Sequence, residues 1–308
     1  MSFQESIRAG YGETRSRLSN VGLNAGILFI LPAVLLMLVL ITYPLIETVR
    51  LSLHNLSSGG VESFVGLTKY VDMVTADWFP NVMINTFVWV VGGVALQLVV
   101  GFALALLLHT KYPAKSAVRA GYLIPWVTPT IVTAIIFKWM YDPTFGIINK
   151  LLVSGGLLDA SIAWLSNTDT AMIAVIGSAL WKQFPFVLIM VLAGLQGIDE
   201  SLHNAAKIDG APFLARLRHV TIPSLLPVLK IVVLLTVIWM FNQFVLVFTM
   251  TGGGPVGATN VLSVKVYRLA FEQFRYGDAS ALSVAMILIM LVFIYFYIRA
   301  LRKRGANI

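Results

Sequence analysis

The sequence predicts an all-α integral membrane protein built on six transmembrane helices. Three observations carry that prediction. The 308 residues are 58% hydrophobic and 12% charged, about half of the 25% or so that is usual in water-soluble domains, and the mean hydropathy is +0.86. Runs free of Asp, Glu, Lys and Arg cover 18–46, 78–110, 120–137, 231–264 and 279–298, and 170–194 is interrupted only by Lys182. A helix needs about 20 apolar residues to cross the hydrocarbon core. The third observation is an uneven distribution of cations, given below.

The first span is expected at 24–46, after a polar leader holding Arg8, Arg15 and Arg17. It is too long for a signal-peptide core and lacks a small-residue cleavage site, so it reads as an uncleaved anchor. Pro44 and Ser57-Ser58-Gly59-Gly60 mark turns after it. The second span is expected at 82–108 and the third at 119–140. Residues 143–153, PTFGIINKLLV, read as a short interfacial helix after a proline-led turn. The fourth span is expected at 170–194, the fifth at 228–249 and the sixth at 279–300. TGGGP at 251–255 must be irregular, because consecutive glycines and a proline cannot extend a helix. The spans imply a tail at 1–23, a membrane domain at 24–300 and a second tail at 301–308.

With the N-terminus inside, fourteen cations fall on the inner side: Arg8, Arg15, Arg17, Lys111, Lys115, Arg119, Lys207, Arg216, Arg218, Lys230, Arg299, Arg302, Lys303 and Arg304. Six fall outside: Arg50, Lys69, Lys150, Lys265, Arg268 and Arg275. This is the positive-inside pattern, and it puts both termini in the cytoplasm. The net charge of +8 is therefore a matter of topology rather than a nucleic-acid footprint.

The chemistry available is narrow. The chain has no cysteine, so disulfides, thiol nucleophiles and thiolate metal sites are excluded. Its four histidines are scattered, with no His-x-x-x-His pair, which argues against a catalytic metal. No Asp or Glu lies deep in a span, and a carboxylate is the usual carrier in proton- or ion-coupled transport. The polar candidates are two clusters, Trp181-Lys182-Gln183 and Trp239 with Asn242-Gln243. Each sets an aromatic face beside hydrogen-bonding groups, a combination suited to a polyhydroxylated solute. The blander account of each tryptophan is the interfacial belt or bundle packing.

Between the fourth and fifth spans lies a basic loop at about 196–227. SLHNAAKI at 201–208 reads as a short helix, Asp209-Gly210 as a turn, and 212–220 as a second helix with Pro212 in its first turn. Leu202, Ala205, Ala206 and Ile208 give the first piece a small apolar surface that a groove on another protein could accept. A basic connector lying on the membrane is the alternative.

AAKIDGA followed by IPSLLP resembles the "EAA" signature of binding-protein-dependent ABC importer permeases. TGGGP at 251–255, WKQFPF at 181–186, AGLQGI at 193–198 and WMYDPTFGIIN at 139–149 are similar to the carbohydrate-uptake branch of that family. The likeness covers nearly the whole chain from the first span onward. One position departs from the signature: Asn204 stands where it has glutamate.

The resemblance implies a type I importer permease, non-enzymatic, in a bacterial inner membrane. It implies a second homologous permease, an ABC ATPase dimer on the cytoplasmic face, an extracytoplasmic solute-binding protein and a sugar as solute. Asn204, Ala205, Ala206, Asp209 and Gly210 would couple to the ATPase, and Trp181, Lys182, Gln183, Thr236, Trp239, Asn242 and Gln243 would line the solute path. No cofactor is expected on this chain. It contains no Gly-Lys dipeptide and hence no Walker A loop, so ATP and magnesium would be held by the partner ATPase subunits. The alternatives are a same-family importer of an anionic sugar derivative, sugar phosphate or polyol, and an ion-coupled secondary transporter. A membrane-embedded enzyme fits least, because no span offers a Ser/His/Asp set or an acid pair.

Overall fold

The structure is a computed structural model, described here over residues 29–56, 62–110 and 115–302. Among the described residues five helices are long and apolar enough to cross a membrane, and a sixth crossing is reached if one sharply bent helix pair is taken as a single span. Helix α1, Phe29–Ser52, passes through a π turn at Leu38–Thr42. It extends past Pro44, which therefore sits inside the helix rather than ending it. The π turn closes with the Tyr43 N–H donating to the Leu38 carbonyl, and the helix continues through Pro44, which has no N–H to donate. Residues 24–28 and Ser57-Ser58-Gly59-Gly60 lie outside the described residues.

A two-stranded antiparallel hairpin follows, β1 (His54–Leu56) against β2 (Glu62–Phe64), and then the short α2, Thr68–Thr75. Helix α3, Trp78–His109, is the second span at 32 residues. The third span, expected as one helix at 119–140 with Pro125 and Pro129 as places where it could bend, is divided in two. It is α4, Lys115–Val127, and α5, Thr130–Met140, bent by 105° at Thr128-Pro129. Proline has no amide hydrogen to continue the ladder, and it drives the preceding residue out of the α region.

The interfacial helix is α6, Ile147–Ser154. Its buried Asn149 fastens the loop beyond it, donating to the Ile162 carbonyl at 2.9 Å and accepting from the Trp164 indole at 2.9 Å. Helix α7, Thr168–Gln196, is the fourth span, and α8, Glu200–Ile208, follows it.

The fifth span differs from the expected 228–249. Helix α9 occupies Phe213–Asn242, and the piece expected as a separate helix at 212–220 is its first part. A π turn at Leu217–Thr221 joins the two, with the Ile222 N–H donating to the Leu217 carbonyl. That longer register carries the chain into Pro223, which cannot make the ordinary bond. The helix stops at Gln243, and a separate α10, Val245–Thr251, begins beyond the break. The TGGGP segment is irregular as expected, with Gly252 and Gly253 at positive φ. Helix α11, Leu262–Tyr267, runs into a further π turn, and α12, Tyr276–Arg302, is the sixth span.

Helices α3 and α7 form the axis of the bundle. Two apolar cores lie along them, one toward the α8 end around Leu108, Leu188, Leu195 and Leu225, the other toward the far end around Trp89, Val175, Met240 and Leu282. Gly101 sets the separation of the two helices. A Cβ there would lie 2.6 Å from Val187 Cβ and 3.1 Å from the Leu188 backbone nitrogen. Gly101→Val is therefore expected to push the rods apart at a cost of about 1–3 kcal/mol. A fall in the melting temperature of the detergent-solubilised chain is the readout.

Candidate functional site

The break in the third span creates the first half of the site. Residues 182 and 186 are one turn apart on α7 and share a face toward the break. Lys182 is 9% exposed, and its Nζ donates to the Thr128 carbonyl at 2.6 Å. An ammonium left bare at the middle of a helix in lipid costs about 2.5–3.5 kcal/mol. A carbonyl in the gap between α4 and α5, outside both helix ladders, is a suitable partner for it. Phe186 packs edge-on to Trp239 of α9 at 4.6 Å and tilts against Trp126 of α4 at 6.2 Å. The three rings join α4, α7 and α9 beside the buried lysine.

The end of α9 supplies the second half. Thr236 is buried and returns its hydroxyl to the Val232 carbonyl at 2.7 Å. Asn242 is exposed, with its amide donating to the Ile238 carbonyl at 2.9 Å. Its side-chain oxygen has no donor in that arrangement. Gln243 is the residue of the break, and its carbonyl accepts from the Ser263 hydroxyl at 3.2 Å. Asn242, Ser263 and Ser283 line an open cavity of about 480 Å³, together with Phe241, Val266 and Met286.

The expected path residues thus divide. Lys182 and Trp239 approach the break in the third span, whereas Asn242 and Gln243 belong to the break in the fifth. Trp181 points elsewhere: its ring meets Phe137 at 5.5 Å, in a chain of rings continuing to Tyr141 and Trp164. Gln183 is buried, and its Oε1 has no hydrogen-bond partner. Gln97 on α3 is fully buried with its Oε1 likewise unpartnered, and its amide contacts Met240 Sδ at 3.3 Å. Sequence reasoning missed Phe186, Ser263 and Ser283. The spacing from Lys182 would have found Phe186. The serines come from distant segments and carry no local signal.

The short helix α8 stands apart. None of its residues is buried. Asp199 caps its start, accepting from the Ser201 backbone N–H at 2.8 Å. Hydrogen bonds from the Ser201 backbone and hydroxyl hold the Asp199 carboxyl below its ordinary value. The cap is therefore present at neutral pH and is lost as pH falls through that lowered value.

At the other end, Gly210 adopts φ +72°. Its N–H donates to the Lys207 carbonyl at 3.0 Å, and the Ala211 N–H donates to the Ala206 carbonyl at 2.9 Å. This pair of bonds is the Schellman closure of a helix. Asn204, Ala205 and Asp209 are exposed and Ala206 is half-buried. Leu202, Ile208, Phe213 and Leu214 are 49, 86, 63 and 72% exposed, an uncovered apolar surface around the knob.

At the far end, an ion pair ties the hairpin and α2 to α12. Lys69 Nζ lies 3.4 Å from Asp278 Oδ2 and 3.3 Å from Asn55 Oδ1, and Arg275 Nε lies 3.1 Å from the same carboxylate oxygen. The TGGGP loop is braced by Thr259, which donates to the Gly254 carbonyl at 2.7 Å, and by Asn85, which donates to the Gly257 carbonyl at 2.8 Å.

Comparison with known proteins gives a consistent result. The family profile described as "Binding-protein-dependent transport system inner membrane component" matches residues 97–304. The trehalose/maltose transport system permease protein MalF of Thermococcus litoralis is 34% identical over 285 residues, which is 91% of this chain and 94% of that protein. The diacetylchitobiose uptake system permease protein DasB of Streptomyces coelicolor is 30% identical over 302 residues, 96% of this chain and 92% of that protein. In shape, a chain of a bacterial ABC transporter involved in the import of the acidic polysaccharide alginate matches with a TM-score of 0.78 at 20% identity. It covers 97% of this chain and 100% of its own length. That likeness speaks for the fold.

Proposed function

This chain belongs to the family of binding-protein-dependent transport system inner membrane components, and we propose that it is one permease subunit of an ATP-driven sugar importer. The observation that carries the coupling half of this reading is α8: a fully capped, exposed helix with an apolar surface, projecting from one end of a membrane bundle. A helix so placed suits a groove on a separate protein. We assign that groove to an ABC ATPase dimer, which would hold ATP and magnesium, and we place the α8 end and both termini in the cytoplasm. A second, homologous permease completes the path, and an extracytoplasmic binding protein delivers the solute to the far end. The two relatives are named for trehalose/maltose and for diacetylchitobiose, which supports a sugar or sugar derivative here. The matched relatives are permeases, and the chain is assigned no reaction of its own.

In this reading the solute path lies at the two breaks, where backbone and side-chain polar groups are left free of the helix ladder. Such irregular backbone at membrane depth is tolerated where protein or a wet cavity surrounds it. Trp239, Asn242 and Gln243 face it most directly. Lys182, Gln183 and Thr236 support the wall, and Trp181 stands behind it on Phe137.

Competition between neutral and anionic sugars for uptake into vesicles bearing the assembled transporter tests the solute class. Transport that survives ATP depletion and collapses with the ion gradient would replace this reading with a secondary transporter. Asn242→Leu should remove one solute hydrogen bond, contributing about 0.5–1.5 kcal/mol. The half-saturating solute concentration is then expected to rise about 2- to 13-fold, with the same amount of chain in the membrane. An unchanged value would take Asn242 off the path.

A further inference from the structure

Two features of the bundle are brought together by one side chain. The short segments beyond the two breaks, α5 and α10, pack against each other. They form one body on the far side of the hinges at Thr128-Pro129 and Gln243. Helix α7 is a single helix of 29 residues that packs on α4, α5 and α10 alike, and only Gly197, Ile198 and Asp199 separate its end from α8. Lys182, near the middle of α7, reaches across to the Thr128 carbonyl at 2.6 Å, the last carbonyl before the 105° bend. Among the described residues no carboxylate lies within ion-pair distance of it. The carbonyl at the C-terminal end of α4 is where a cation is most favourable on a helix. Thr128 lies between the end of α4 and the start of α5, so its carbonyl is outside both helix ladders and open to a side chain.

We propose that Lys182 is a positioning residue that pins the bend of the third span to α7, so that movement of α8 reaches the α5–α10 body with the angle of that bend held. A rigid rod linked at one end to the knob and at its middle to the hinge transmits displacement as packed elements do. The ammonium joins the rod to the bend itself by a directed bond, whereas the Ser178 contact with the Tyr141 hydroxyl lies at the far end of α5. Trp126 and Phe186 beside it supply packing without fixing an angle. Transmission from α8 presupposes the coupling role proposed above; the pinning of the bend does not.

The chain has no native cysteine, so labels can be placed at will. Lys138 on α5 and Ile173 on α7 are both exposed. With Lys138→Cys and Ile173→Cys spin-labelled in the assembled transporter without nucleotide, chains with lysine or arginine at position 182 are expected to give one narrow distance distribution. Lys182→Met is expected to broaden it, and to lower solute-stimulated ATP hydrolysis at least tenfold. Lys182→Arg should retain most of that stimulation, since a guanidinium can still donate to the carbonyl. If Lys182→Met inserts poorly, Lys182→Gln carries the test, because a neutral, shorter amide does not reach Thr128. A narrow distribution in the neutral variants overturns the proposal. If uptake is nonetheless lost, the lysine touches solute instead. Broadening in Lys182→Arg also overturns it. The distance readout stands even if the solute is no sugar and the motor no ATPase.

Discussion

Gly210→Pro is expected to abolish solute-stimulated ATP hydrolysis while leaving membrane insertion intact. Gly210 sits at φ +72°, and its N–H donates to the Lys207 carbonyl at 3.0 Å. Proline locks φ near −65° and has no N–H, so both the dihedral and the bond are lost. The neighbouring bond from Ala211 to the Ala206 carbonyl depends on the same turn, and the end of α8 unwinds with it. Insertion should survive, because α8 contributes no buried residue to the bundle. Gly210→Ala provides the graded control. A Cβ there meets nothing within 4 Å, so its cost is the dihedral alone, about 1–2 kcal/mol. Partial stimulation is expected for alanine and none for proline. Normal stimulation in Gly210→Pro would remove α8 from the coupling path.

Asp278→Leu is expected to give the largest loss of stability. Lys69 is 8% exposed, and Asp278 is its carboxylate partner at 3.4 Å. Breaking a buried ion pair from one side costs about 3–5 kcal/mol, because the remaining charge stays buried. The carboxylate is 19% exposed and also serves Arg275, so about 2–3 kcal/mol is the better figure here. The site cannot relax by moving inward. A Cβ on Gly277 would already lie 2.6 Å from both Lys69 Cε and the His54 carbonyl. At about 2–4 °C per kcal/mol, the melting temperature should fall by about 4–12 °C. Adding Lys69→Met to the same chain should recover more than half of that loss, since removing both charges leaves nothing unpaired. Failure of the double variant to recover would show that the carboxylate acts through Arg275.

The spans were legible in the sequence because length and apolarity alone decide whether a helix suits lipid. The broken backbone was legible only in part. Pro129 sits beside the third-span break, but a proline before a helix and a proline bending one look alike without the neighbours that hold the angle. The break at Gln243 carries no proline, and the packing of α10 on α5 sets it. Pro44 misled in the other direction, because a π turn upstream lets the helix continue through it. The short helix was readable in large part, since SLHNAAKI and the Asp209-Gly210 turn are local signals, whereas its Asp199 cap went unread. The cavity wall was not, because Ser263 and Ser283 meet Asn242 across loops whose course no periodicity records.

Every bond that closes α8 lies between residues 199 and 211. Its shape therefore travels with its own thirteen-residue stretch and does not depend on how the crossing helices are tilted. It would behave as a hard gear tooth rather than a compliant pad: whatever engages it shifts the whole piece without first deforming it.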